Sequence, residues 1–139
     1  MKQLQTIGVV GGGLIGMSWA SLFLARGMTV VVVEPRPEAE AQLHQFVAEA
    51  WPKLQALGLT TSDSVRRAEV SSDFSRLGGV DFVQENGPDR IEIKHDLVRQ
   101  LERVIDPAVP IVSSTSSLLA SELQSGAKHP ERILVGHPM

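Results

Sequence analysis

A chain of 139 residues has the length of one domain and enough of it to bury a core. A net charge of −3 gives no support for nucleic acid or an anionic membrane as partner. The absence of cysteine excludes disulfides, thiolate catalysis and cysteine metal sites, and fits a reducing, cytoplasmic setting.

The elements follow in chain order. Thr6 to Val10 reads as a fully apolar strand, and a helix follows from about Leu14 to Arg26, stopped by Gly27. The uncharged stretch from Ile7 to Ala25 has the length of a membrane span, but Gly11, Gly12, Gly13 and Gly16 interrupt it, so strand, turn and helix explain it better. Nor does the start of the chain carry a signal-peptide cleavage pattern.

Thr29 to Glu34 is a second strand, whose unbroken valines suit burial on both faces. Glu38 to about Leu57 is an amphipathic helix closed by Gly58, and Thr60 to Ser64 is a loop. Ala68 to Ser71 is a weak third strand and Val80 to Gln84 a fourth, introduced by Gly78-Gly79. Pro88 is expected at the start of a helix running to about Ile105, broken by Asp106-Pro107. Ile111 to Ser114 is the fifth strand, Ser117 to Gln124 a short helix and Ile133 to Gly136 the sixth strand. Six strands alternating with helices predict an α/β Rossmann domain over residues 1–139. It is doubly wound, with helices on both faces of a mainly parallel sheet in the order 3-2-1-4-5-6, and ligands bind beyond the carboxyl ends of its strands.

The chemistry concentrates at those ends. Gly11, Gly13 and Gly16 match G-x-G-x-x-G between a strand and a helix. The first permits a tight turn, the second admits a pyrophosphate to the backbone, and the third lets helix and strand pack closely. The helix opening at Leu14 and Ile15 then offers free N–H groups and a positive dipole end to the phosphates. Glu34, 18 residues after Gly16, can accept both adenosine ribose hydroxyls and repel a 2′-phosphate, so the cofactor is expected to be NAD. Arg36 stands close enough to hold such a phosphate instead. A glycine turn without a ligand is the plainer alternative for the motif.

Four further segments carry a family resemblance: Asp81-Phe82-Val83-Gln84-Glu85, Asp89 with Lys94, Ser113-Ser114-Thr115-Ser116-Ser117, and Gly136-His137-Pro138. Together and in order they resemble the 3-hydroxyacyl-CoA dehydrogenase family. Within it, the likeness is to the branch that contains L-carnitine dehydrogenase and lambda-crystallin (L-gulonate 3-dehydrogenase). Trp51-Pro52 and His129-Pro130-Glu131-Arg132 add to that likeness.

The resemblance implies that His137 is the general acid/base, a role suited to a group whose unperturbed pKa lies near 6.5. It implies that Ser116 contacts the substrate oxygen and the nicotinamide side, although a serine in that run is also an ordinary helix cap. Asp89, shorter than the family's usual glutamate, and Lys94 match cofactor-contacting positions; Lys94 could equally be a solvated charge on a helix face. Glu85 is placed at the cleft. His44, His95 and His129 have no partners at ligand spacing, so they are expected on the surface and no metal is expected.

The resemblance further implies NAD-dependent oxidation of a 3-hydroxy to a 3-keto group in an intact homodimeric enzyme. An asparagine, a glutamate and a helical substrate and dimerisation domain would come from beyond Met139, so this chain alone is expected to turn over little. From Pro35 to Ser64 two cations, Arg36 and Lys53, face four anions, Glu38, Glu40, Glu49 and Asp63. That balance disfavours the anionic coenzyme A and favours a small 3-hydroxy acid such as L-carnitine. The alternatives are a 3-hydroxyacyl-CoA dehydrogenase of fatty acid oxidation and, in another class, a non-catalytic dinucleotide-binding module.

Overall fold

In the computed structural model, which describes residues 3–138, Thr6–Val10 forms β1. Leu14–Ala25 then forms α1, Thr29–Val33 β2 and Ala39–Ala56 α2. Side chains alternate across these two strands. Ile7, Val9, Val30 and Val32 pack with Ala20, Leu24, Leu43, Val47 and Trp51 of the two helices, while Val10, Val31 and Val33 join the core on the opposite face. Both faces are therefore buried, as the valine run requires.

The chain continues through β3 (Glu69–Ser71), a 3₁₀ turn (Phe74–Leu77), β4 (Phe82–Glu85), α3 (Ile91–Glu102), β5 (Ile111–Ser113), α4 (Ala120–Gln124), a second 3₁₀ turn (Pro130–Arg132) and β6 (Ile133–Val135). Every strand pair is parallel, and the sheet order is β3-β2-β1-β4-β5-β6. The doubly wound Rossmann topology is thus the one expected. Its switch point lies where β1 separates β2 from β4. Among the described residues, no helix is long and apolar enough to cross a membrane.

Gly27 and Gly58 close α1 and α2 with φ of +84° and +67°, the left-handed conformation in which a glycine costs least. Strand β4 spans Phe82–Glu85 rather than Val80 to Gln84, α3 ends at Glu102 rather than about Ile105, and two helix starts and one turn also differ from expectation. Helix α3 begins at Ile91 rather than at Pro88, because Gly87 and Asp89 are bound into the loop ahead of it. Helix α4 begins at Ala120 rather than Ser117, because Thr115 and Asp89 hold the 115–118 segment in a non-helical bend. The Phe74–Leu77 turn, capped by the Asp73 carboxylate on the Ser75 N–H, is an element the hydrophobic pattern leaves unmarked.

Candidate cofactor cleft at the switch point

A cleft of about 420 Å³ opens beyond the carboxyl ends of β1, β2 and β4, lined among others by Val10, Gly11, Val33, Glu34, Gly87 and Pro88. Its floor is the glycine turn. Gly11 has φ +89°, and a Cβ there would lie 2.8 Å from the Asn86 carbonyl oxygen. A Cβ on Gly16 would lie 1.9 Å from the Gly11 carbonyl oxygen, so only glycine lets α1 start this close to β1. Around Gly13, by contrast, a Cβ would meet nothing within 4 Å. Space is left open at the one position where a pyrophosphate has to approach the backbone.

Gly13 is also the N-cap of α1; no side chain caps that helix and its first turn holds no acidic residue. The free N–H groups behind Leu14 and Ile15 and the dipole end are therefore left to an anionic ligand. The residues present fit a dinucleotide.

Glu34 sits at the rim just after β2, with its side chain 10% exposed. Its Oε2 accepts the Gly12 N–H at 2.8 Å, and Oε1 accepts the Arg36 backbone N–H at 3.2 Å and the Arg36 Nε–H at 3.1 Å. Burial works against ionisation, but these N–H bonds and the Arg36 guanidinium outweigh it and hold the carboxyl below its ordinary pKa. A Cβ on Gly12 would lie 3.0 Å from the Glu34 Cγ, so the carboxylate lies directly against the turn.

Beneath the cleft lies a polar, buried pair. Glu85 and Lys94 are each 2% exposed. The ammonium lies 2.8 Å from Oε2 and 3.1 Å from Oε1 of Glu85, and 2.9 Å from the Gly87 carbonyl oxygen. Glu85 also accepts the Ser113 hydroxyl at 2.6 Å and the Gly87 N–H. Lys94 is therefore neither a solvated charge nor a free arm in the cleft, and Glu85 does not face the opening. The two form a strut beneath it, joining β4, β5 and α3. Asp89 lies at the edge, 3.9 Å from the Lys94 ammonium, and accepts the Ser117 hydroxyl at 2.9 Å and the Ser116 N–H at 3.4 Å. Hydrogen bonds from the Thr115 side chain first, then from Ser117 and Ser116, lower its pKa.

A second network escaped the sequence. The Ser114 hydroxyl accepts from the Trp19 indole at 3.2 Å and the Gln84 amide at 2.8 Å, and donates to Asn86 Oδ1 at 2.7 Å; Asn86 Nδ2 donates back to the Val10 and Gln84 carbonyls. It ties α1 to the ends of β1, β4 and β5. The available signal was Gln84 and Asn86, polar residues at the end of an otherwise apolar strand.

Ser116 and His137 follow β5 and β6 on the same carboxyl edge, and both are exposed. Ser116 lies ahead of the residue that caps α4, Leu119, so its hydroxyl is not the helix cap. Pro138, beside His137, lines a groove of about 530 Å³ with Ile15, Ser18, Trp19 and Leu22 of α1. The other three histidines lie partly exposed at the surface, each bonded within the chain. His44 bonds the Ala68 carbonyl, His95 the Glu122 carbonyl, and His129 pairs with Glu131 at 3.4 Å.

Sheet order, glycine turn and the carboxylate after β2 define a Rossmann dinucleotide-binding domain. The family described as 3-hydroxyacyl-CoA dehydrogenase, NAD binding domain, matches residues 6–139, and the chain belongs to it. Its cofactor is NAD. The chain is 43% identical over 139 residues to an L-carnitine dehydrogenase of Pseudomonas aeruginosa, covering 99% of this chain and 43% of that one. It is 38% identical over 139 residues to a 3-hydroxyacyl-CoA dehydrogenase of Gibberella moniliformis, with the same coverage of 99% and 43%. The crystal structure of 3-hydroxybutyryl-CoA dehydrogenase from Escherichia coli K12 superposes with a TM-score of 0.87 at 25% identity, over 98% of this chain and 30% of that one. The chain thus spans less than half the length of these relatives.

Proposed function

We propose that the intact protein oxidises the 3-hydroxy group of a small 3-hydroxy acid, of the kind L-carnitine represents, to a 3-keto group. The observation that carries this reading is the placement of Ser116 and His137 after β5 and β6, on the edge that holds the glycine turn. Gly11, Gly13, Leu14, Ile15 and Gly16 would hold the pyrophosphate. Glu34 would accept the adenosine ribose hydroxyls, and Asp89 and Ser116 would border the rest of the cofactor, with Lys94 supporting that wall from beneath. Bound NAD supplies the hydride acceptor. His137 takes the hydroxyl proton on a ring nitrogen as the C–H bond at the same carbon gives up its hydride, and the Ser116 hydroxyl donates to the substrate oxygen.

The choice of a small hydroxy acid rests on relatives named L-carnitine dehydrogenase at 37–43% identity and on the acidic balance of residues 35–64. The relative named 3-hydroxyacyl-CoA dehydrogenase supports an acyl-CoA as the second reading. A homodimer is implied by the family resemblance. A cytoplasmic location, without nucleic-acid or membrane partners, fits the net charge of −3 and the lack of cysteine.

The test is made on full-length protein with L-carnitine and a 3-hydroxyacyl-CoA side by side. A higher kcat/KM for the CoA ester would replace the first reading by the second. His137→Ala should lower kcat by roughly 10²–10⁴ with NADH affinity unchanged. Near-normal turnover in that variant would remove His137 from the mechanism, and no turnover of either substrate by the wild type would leave a dinucleotide-binding module.

A further inference from the structure

Arg36 stands two residues beyond the ribose-binding candidate, where a guanidinium could serve either cofactor. It could hold a 2′-phosphate, or it could act on Glu34. The geometry separates the two. Every nitrogen of the guanidinium is engaged within the chain. Nε donates to Glu34 Oε1 at 3.1 Å, and Nη2 donates to the Gly12 carbonyl at 3.1 Å. Nη1 donates to Gln42 Oε1 at 3.2 Å and lies 3.7 Å from Glu38 Oε1. Gly12 is held from both sides, because its N–H is bound to Glu34 Oε2 at 2.8 Å while its carbonyl is bound to Arg36. Glu34, Arg36 and Gly12 form a closed ring of bonds, with the carboxylate kept ionised and pressed against the glycine turn.

A guanidinium so placed has three of its five N–H groups committed to the chain, and the neighbouring anions, Glu34 and Glu38, repel a phosphate. We infer that Arg36 is a positioning residue for cofactor selectivity: it clamps Glu34 to the glycine turn in the arrangement that accepts ribose hydroxyls, and does not serve as a 2′-phosphate receptor. This rests on Glu34 as the ribose acceptor.

The test is calorimetric titration of the chain with NADH and NADPH, for wild type, Glu34→Gln, Arg36→Met, Arg36→Lys and the double variant Glu34→Gln/Arg36→Met. Arg36→Met should weaken NADH by about three- to fivefold, the upper range for an exposed charge contact, and leave NADPH within about twofold. In the Glu34→Gln background the same change should move NADH by less than about twofold, because the side chain it acts through is already neutral. Arg36→Lys should not restore NADH affinity, since a single ammonium cannot bridge Glu34 and the Gly12 carbonyl. The acid-side fall of NADH affinity should also begin at higher pH in Arg36→Met, because the clamp that keeps Glu34 ionised is gone. Selective weakening of NADPH by Arg36→Met, an undiminished effect in the Glu34→Gln background, or full rescue by lysine would each overturn the proposal. Unchanged NADH affinity in Glu34→Gln would remove the ribose acceptor itself, whereas weakening there with none in Arg36→Met would sink only the role of Arg36.

Discussion

The two ends of the sheet's carboxyl edge are built differently. At the β1–β2 end each candidate group is held by another part of the chain: Gly12 by Glu34 and Arg36, Glu34 by Gly12 and Arg36, and the turn itself by the close approach of Gly16 to Gly11. At the β5–β6 end Ser116 and His137 are displayed on exposed segments. The Ser116 backbone N–H is bonded to Asp89 at 3.4 Å. Between them lies the buried Glu85–Lys94 strut. Binding a cofactor rewards a preformed cradle, because ordering one at the moment of binding costs affinity. The groups proposed to react still have to meet a substrate.

If the strut supports both ends, breaking it should cost more than any change at either end. Lys94→Met leaves the Glu85 carboxylate buried without its cation, which costs about 3–5 kcal/mol. Urea denaturation should show that loss. Lys94→Met/Glu85→Leu should recover much of it, since two apolar side chains can replace a buried ion pair at small cost. A single variant within about 1 kcal/mol of wild type would mean that water reaches the site and the pair is no strut.

Lys94 also shows where sequence reading stops. Its helix placed it correctly in the chain, but its partner lies nine residues back on a strand, and periodicity carries no information about such a pairing. The strands β1 and β2 were legible because valine-rich runs with glycine stops admit few other structures. Glu34 was legible for the same reason, since a carboxylate ending a buried strand has one place to go. The start of α3 was misplaced because Pro88 is a good first helical residue locally, while Glu85, Lys94 and Ser117 bind its surroundings into a loop. The Trp19–Ser114–Gln84–Asn86 network is assembled from three elements far apart in sequence, and the polar Gln84 and Asn86 that signal it do not name their partners. At the β5–β6 end, Ser116 and His137 could be named only through the family's motifs, because nothing local in the chain distinguishes them.

At the preformed end, Gly16→Ala sets a methyl group against the Gly11 carbonyl. Shifting α1 to relieve the clash should cost about 1–3 kcal/mol, the usual penalty of overpacking. It should also abolish saturable NADH binding, because the shift moves the free N–H groups at Leu14 and Ile15. The thermal midpoint and an NADH fluorescence titration measure the two effects. Tight NADH binding in a destabilised Gly16→Ala would mean that the cradle adapts, and the contrast between the two ends would weaken.

At the opposite edge of the sheet, where the chain enters β6 on its way to the displayed end, the tie is Glu102. Its carboxylate accepts the Lys128 N–H at 3.0 Å and the His129 N–H at 2.9 Å, and Arg132 lies 3.8 Å away, just before β6. Burial opposes its ionisation, but the two backbone N–H bonds and the Arg132 charge win, and the carboxyl titrates below its ordinary value. A carboxyl with a lowered pKa in the folded state contributes its full stability above the unfolded-state value and loses it as pH falls through the folded one. Glu102→Gln keeps one acceptor but no charge, so it should cost about 1.5 kcal/mol at neutral pH, the low end for a hydrogen bond to a charged group. The difference from wild type should shrink as the medium is acidified below the ordinary carboxylate range, where the wild-type side chain becomes neutral as well. Denaturation midpoints measured across that range decide it. A cost that stays constant with pH would show that the entry to β6 is held by shape rather than by the charge of Glu102.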